Sequence, residues 1–543
     1  MSNGRKRRWS LHGILQFALA VFVALVLTSV CAASATNIYI AQNAAGAANG
    51  ADCADALAVT FFNTAANWGT GAAQIGSGTT VHLCGTFTGI ANGTMLTARG
   101  SGSSGNPVTI LFESGATLTS PCWGPSGAIN LGGNTFVTIN GGTNGIIKNT
   151  ANGTRLTYAA PSVGISFSGS NATVENLTIE NIYVHTSPSD TAIPNAGTQV
   201  NCIHFSGSNI LIHDNVMHDA GYCLFENYAN GDGNVSIYNN NLYNVDHGWM
   251  VATTSSGGSS GPFSFYGNYV HGYANWDTTA DAYHHAAIHC FTSGTGGVAA
   301  HITALNIYNN LFTGPVGVNI TAHIFLEGGT GAGSTPCMDS TSHAYIYNNV
   351  LTADQTISNG MINPNTYGDV QAYNNTMIGN SSSTGLCFSS GEDITSETFE
   401  NNVMDSCGSL IYITGSIRFT ADNNIYANSG SNAFVCGTNF YDATQFAAWQ
   451  TCIGGDSHSS YSASAGLNSS GIPQSGSAVI GAATNLTSLG IVALDRDTSA
   501  GNTHTPVARP PLGSTLLWSA GAYQFGNSAS GPQPASGATA IPH

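Results

Sequence analysis

Between Asp246 and Glu327 the chain gathers groups that can move protons. "VDHGW" (245–249) brings together Asp246, His247 and Trp249, and "DAYHHAAIHC" (281–290) brings together Asp281, Tyr283, His284, His285 and His289. Imidazole is the side chain that titrates near neutral pH, so a dense set of histidines suits proton transfer. Carboxylates placed close together raise one another's pKa, which turns identical residues into an acid and a base. Asp219, Asp246 and Asp281 each lie in a turn ahead of a strand. If those turns stack one coil apart, their acids stand about 5 or 10 Å from each other, a range that brackets the separations used by glycosidases. Asp246 and Asp281 are therefore the expected acid/base pair. His247, His284, His285 and His289 are the expected proton-transfer or orienting groups, and Tyr283 could act with the adjacent histidines.

Substrate contacts are expected on either side. Trp249, Trp276 and Tyr283 offer ring faces for stacking on sugars, and His204, Glu226, His323 and Glu327 complete the binding set. Other occupants compete for the same residues. "HHxxxH" (284–289) with Asp281 holds ligands enough for Zn²⁺ or Cu²⁺, a pattern that is strong on a helix and weak on a turn and strand. The acids could equally form a solvated or Ca²⁺-binding ladder. No motif demands a cofactor.

Charge narrows the partners. The chain has 10 Lys+Arg against 27 Asp+Glu, and between Arg155 and Arg418 there is neither Lys nor Arg. Residues 1–35 read as a secretory leader: a basic "MSNGRKRRWSLHG", an apolar "ILQFALAVFVALVLTSV" and small residues at Ala33–Ala35. Losing Arg5, Lys6, Arg7 and Arg8 with it takes the formal charge from −17 to −21. Such a surface repels nucleic acid and anionic membranes, and it disfavours a polyanionic substrate unless Ca²⁺ supplies positive charge. The expected product is an exported monomer, in the periplasm or outside the cell, with no membrane span after leader cleavage. Its cysteines beyond Cys31 are odd in number and show no CxxC spacing, so disulfides with at least one unpaired thiol are expected.

The elements that must position these groups are announced by a repeat. "IYNN" occurs at 237–240, 307–310 and 346–349, with relatives ending at Asn140, Asn176, Asn215, Asn268, Asn375, Asn402 and Asn424. The steps range from 22 to 42 residues, which fits solenoid coils with loops inserted in the longer ones. Each unit alternates apolar and polar residues, the mark of a strand. Asparagines at one place in each coil would stack at the ~4.8 Å strand spacing and bond to each other. Asn240, Asn310 and Asn349 are thus expected to point inward as a ladder. Only "DATQFAAWQTC" (442–452) reads as a helix of any length.

"NIYIAQ" (37–42) with "GSGTTVHLCGTFTG" (76–89) resembles the opening strand and first coil of the pectate-lyase-like superfamily of secreted bacterial proteins. "SAVIGAATNL" (477–486), "LDRD" (494–497) and "LLWSAGAYQF" (516–525) resemble its closing segment. The resemblance implies an all-β, right-handed parallel β-helix over residues 36–455 with an N-terminal cap. A closing segment and a disordered tail would occupy 456–543. That superfamily includes lyases, hydrolases, epimerases and non-catalytic surface proteins, so fold does not settle function. Its pectate lyases use an Arg or Lys base beside Ca²⁺-binding acids, and the histidine-rich stretch here has neither cation. The reading is a protein that binds and cleaves a neutral or weakly charged extracellular polysaccharide, as a hydrolase or lyase. The alternative is a non-catalytic surface or matrix adhesion protein.

Overall fold

Many strands of this chain bury every second residue. Val235–Tyr238, Phe263–Tyr266 and Ala304–Tyr308 all alternate in this way. The computed structural model describes residues 36–185, 200–253, 257–273, 284–292, 301–317, 320–328, 336–366, 368–380, 385–391, 394–415, 418–494 and 506–526. The expected leader and the tail after 526 lie outside the described residues.

Successive coils lay strands on three parallel sheets. The first sheet carries Ser162–Phe167, Val200–Phe205, the latter halves of Val216–Asn227 and Asn241–Thr253, then Ala286–Thr292, Ala322–Glu327 and Ile362–Asn365. The second carries Ile210–His213, Val235–Tyr238, Phe263–Tyr266, Ala304–Tyr308, His343–Tyr347 and Asp369–Tyr373. The third includes Tyr269–His271, Leu311–Thr313, Val350–Thr352 and Thr376–Ile378. Each of these strands pairs in parallel with its equivalent one coil away, which defines a parallel β-helix. Among the described residues, four disulfides join Cys53 to Cys84, Cys290 to Cys337, Cys387 to Cys407 and Cys436 to Cys452.

The turn from second to third sheet explains the paired asparagines. The first residue of each pair has positive φ: Asn239 55°, Asn309 57°, Asn348 54°, Asn374 52°, Asn401 62° and Asn423 55°. Asp214 (55°) and Gly267 (63°) fill the same place, as befits residue types that tolerate the left-handed region. The second residue points inward. Asn215, Asn240, Asn268, Asn310, Asn349, Asn375 and Asn402 each donate Nδ2–H to Oδ1 of the next, at 2.9–3.2 Å, and the run ends at Asn424. Asn140 and Asn176 do not join the ladder. Asn176 takes the positive-φ place (56°), and Leu177 occupies the inward position, donating its backbone N–H to Asn215. Asn140 instead donates to the Glu175 carboxylate.

The expected helix is present as Phe446–Ile453, preceded by a 3-10 turn, Ala443–Gln445, that a capping box between Asp442 and Gln445 opens. The segment after it returns along the positive-φ asparagines. Asn374 donates to the carbonyls of Ser519 and Gly521, and Asn401 to that of Thr484. Buried Arg509 lies over Trp518 and donates to the carbonyls of Val492, Ser519 and Gly521.

Some acids take inward places in the solenoid, where apolar side chains are the rule, and Glu397 is one of them. Glu397 pairs in register with Val370 and Phe419 and is 4% exposed. The only hydrogen bond to its carboxyl among the described residues comes from Ser390. Burial pushes its pKa up to about 8, so the folded chain keeps a proton there that the unfolded chain loses near its ordinary value. A raised folded pKa gives a contribution that is full at low pH and fades as pH rises to about 8. Glu397→Gln should therefore gain stability relative to the parent as pH rises from 4.5 to 7, by roughly 3 kcal/mol. Urea denaturation at the two pH values measures it; an unchanged difference would mean that Glu397 is not neutral in the fold.

Candidate functional site

The corner where the third sheet turns into the first places two consecutive coils side by side. Trp249 pairs with Ile288, and Ala286 with Ala322. This register brings Asp246 and His247 beside His284 and His285, with Thr321 on the following coil.

Asp246 is 6% exposed, and its two carboxylate oxygens serve two histidines. Oδ1 accepts from His285 Nδ1 at 2.5 Å, and Oδ2 from His247 Nδ1 at 3.1 Å. Burial pushes the Asp246 pKa up, but the two imidazoles outweigh it and hold the carboxyl below its usual range. An ionised Asp246 requires Nδ1–H on both rings, so it fixes their tautomers. His247 Nε2 is buried and has no hydrogen-bond partner among the described residues.

A second carboxylate repeats the arrangement nearer the surface. Glu327 Oε2 accepts from His289 Nε2 at 2.8 Å, and Oε1 lies 3.9 Å from His284 Nε2. Burial lowers the His289 pKa to about 4, with Glu327 opposing it, so the ring is neutral. Burial raises the Glu327 pKa, yet the His289 hydrogen bond brings the carboxyl below its ordinary value. The pair is a carboxylate accepting from a neutral imidazole. The two assemblies touch through the rings of His247 and His289, stacked with centroids 5.6 Å apart. His284 and Glu327 are the open end, with side chains 44% and 25% exposed.

The register also sorts the other expected contacts. His204, Phe225, Met250, His289 and Phe325 form one column across the first sheet, as the shared place of His204 and His289 after an isoleucine implies. His204 is partly exposed, 4.9 Å from the Phe225 ring. Trp249 is not a sugar platform. It lies in the inward column with Leu224, Ile288 and Ile324, fully buried, its ring stacked on Phe265. Glu226 is not a surface contact either: it is 1% exposed, accepts from Trp249 Nε1 at 3.1 Å, and burial holds its pKa well above normal. His323 is likewise internal, bonded to the Tyr273 hydroxyl, and burial lowers its pKa to about 3. Asp281, Trp276 and Tyr283 lie outside the described residues.

Asp246, His247 and His285 present ligand atoms within 4.8 Å of one another. Two nitrogens and one carboxylate suit a borderline metal such as Zn²⁺. Ca²⁺ prefers six to eight oxygens, which this set does not offer.

No family model matches this chain, and no curated protein matches it. Two solved structures are similar. One, a rhamnogalacturonan lyase, is 13% identical with a TM-score of 0.39, covering 72% of this chain and 87% of its own. The other, pectate lyase Pel9A, is 14% identical with a TM-score of 0.37, covering 90% and 96%.

Proposed function

We propose that this chain binds and cleaves an extracellular polysaccharide across the outward face of the first sheet. Glu327 and His284 are the exposed proton-transfer pair. Asp246, His247, His285 and His289 form the buried assembly that orients them, and Asp281, Trp276 and Tyr283, which precede His284 in the sequence, extend the site. The supporting observation is the juxtaposition itself: two carboxylates, two coils apart, bracket a coil that supplies three of the four histidines between them, and one end is open to solvent. A scaffold needs no such cluster, because burying polar groups with unused hydrogen-bonding atoms is costly. Clusters of buried, interacting titratable groups are typical of proton chemistry.

The substrate class follows from charge. With no Lys or Arg between 155 and 418, a uronate polymer would find no cation there, so a neutral or weakly charged glycan fits best. Export is part of this reading and accords with the disulfides. The test is a panel of neutral, acidic and amino-sugar polysaccharides, scored for reducing ends and for absorbance of unsaturated products. Reducing ends alone indicate hydrolysis, and both signals indicate elimination. Retention on a polymer without any product would favour the adhesion protein instead.

A further inference from the structure

Among the described residues, three cysteines stand outside the four disulfides: Cys122, Cys202 and Cys223, all buried. Two of them meet. Ile203 pairs in register with Leu224, which sets Cys202 opposite Cys223 on consecutive coils of the first sheet. Neighbouring strands lie about 4.8 Å apart, inside the Cα separation that a disulfide spans. The two sulphurs are 2.7 Å apart, and neither residue has measurable exposure. Cys122 has no such neighbour: its Sγ faces the Trp123 carbonyl at 3.4 Å and Asn92.

We propose that Cys202 and Cys223 form a fifth disulfide, one that staples together two coils beneath the candidate site. The coil of Cys202 carries His204. The coil of Cys223 carries Tyr222, which pairs with His247 and meets its ring at 4.6 Å. The bond forms by exchange with an external disulfide, such as an oxidised thiol–disulfide oxidoreductase. One thiolate attacks the external disulfide and releases one of its sulphurs as a thiol. The second cysteine then displaces the other, so the oxidant leaves as a dithiol carrying both electrons and both protons. Both sulphurs end up buried, so the exchange belongs to folding, before the coil closes.

Peptide mapping of the full exported chain tests this. The protein is unfolded in acid, alkylated without reductant and digested with pepsin, because trypsin has no site between Arg155 and Arg418. The expected result is a Cys202–Cys223 cross-linked peptide, two hydrogens lighter than its unbonded parts, with the label on Cys122. Label on both Cys202 and Cys223, or a link from either to another cysteine, overturns the proposal. A Cys202→Ser/Cys223→Ser double variant adds a second reading. Oxidised parent protein should melt above it, and reduction selective for this bond should remove that gap. Equal melting of the oxidised parent and the variant would count against a staple.

Discussion

Glu327→Gln should reduce turnover by about 10²–10⁴-fold, the range for loss of a general acid or base, while the melting temperature changes little. The substitution keeps the side chain's volume, and its carbonyl oxygen can still accept from His289 Nε2, which lies 2.8 Å from the carboxylate. It removes the negative charge and with it any role as base. The residue is partly exposed, so little folding energy rests on it. Asp246→Asn should behave differently. That carboxylate is buried and accepts from two imidazoles, so its loss leaves polar groups mismatched in the interior and lowers stability and activity together. A third pattern would reveal a metal: His285→Ala would lower bound Zn²⁺ and the melting temperature in parallel. Measuring kcat, melting temperature and metal content on these three variants separates the cases. Full activity in Glu327→Gln would remove Glu327 from the chemistry.

The ladder was legible in the sequence because residue type and phase coincide: an inward asparagine after an alternating strand has few other uses. The site was legible only in part. Asp246 and His285 are 39 residues apart, and the insertion between them hides the register that makes them partners. Trp249 was misplaced for a related reason. From Val245 to Thr253 every residue is buried, so the alternation that tells inside from outside is lost just past the corner. Glu226 gave a false surface signal because acids usually belong in water, whereas here one fills an inward place beside an indole N–H. His289 kept its parity and could be placed outward from Ile288 alone. What local pattern cannot supply is a contact between coils where a loop of unknown length intervenes.

The ladder yields the largest expected change in stability, and neighbouring residues make the contrast. Asn310 uses all of its amide. Nδ2 donates to Asn349 Oδ1 and to the Phe265 carbonyl, each at 2.9 Å. Oδ1 accepts from the backbone N–H and the side chain of Asn268, at 2.9 and 3.2 Å. Asn310→Asp keeps the shape but removes both donors and forces either a buried charge or a protonated acid. The lost bonds and the orphaned acceptors should cost about 3–5 kcal/mol, and the loss should shrink in acid, where the new carboxyl is neutral. Asn309, one residue earlier, is there for its backbone, at φ 57°. Glycine accepts that conformation without strain, so Asn309→Gly should stay within about 1 kcal/mol of the parent, although it forfeits one bond from Asn348. Valine at 309 should cost more than glycine, because a β-branched residue resists the left-handed region. Urea midpoints of the three variants decide the matter. Equal losses at 309 and 310 would mean that the two asparagines share one role, and the division between turn and ladder would fail.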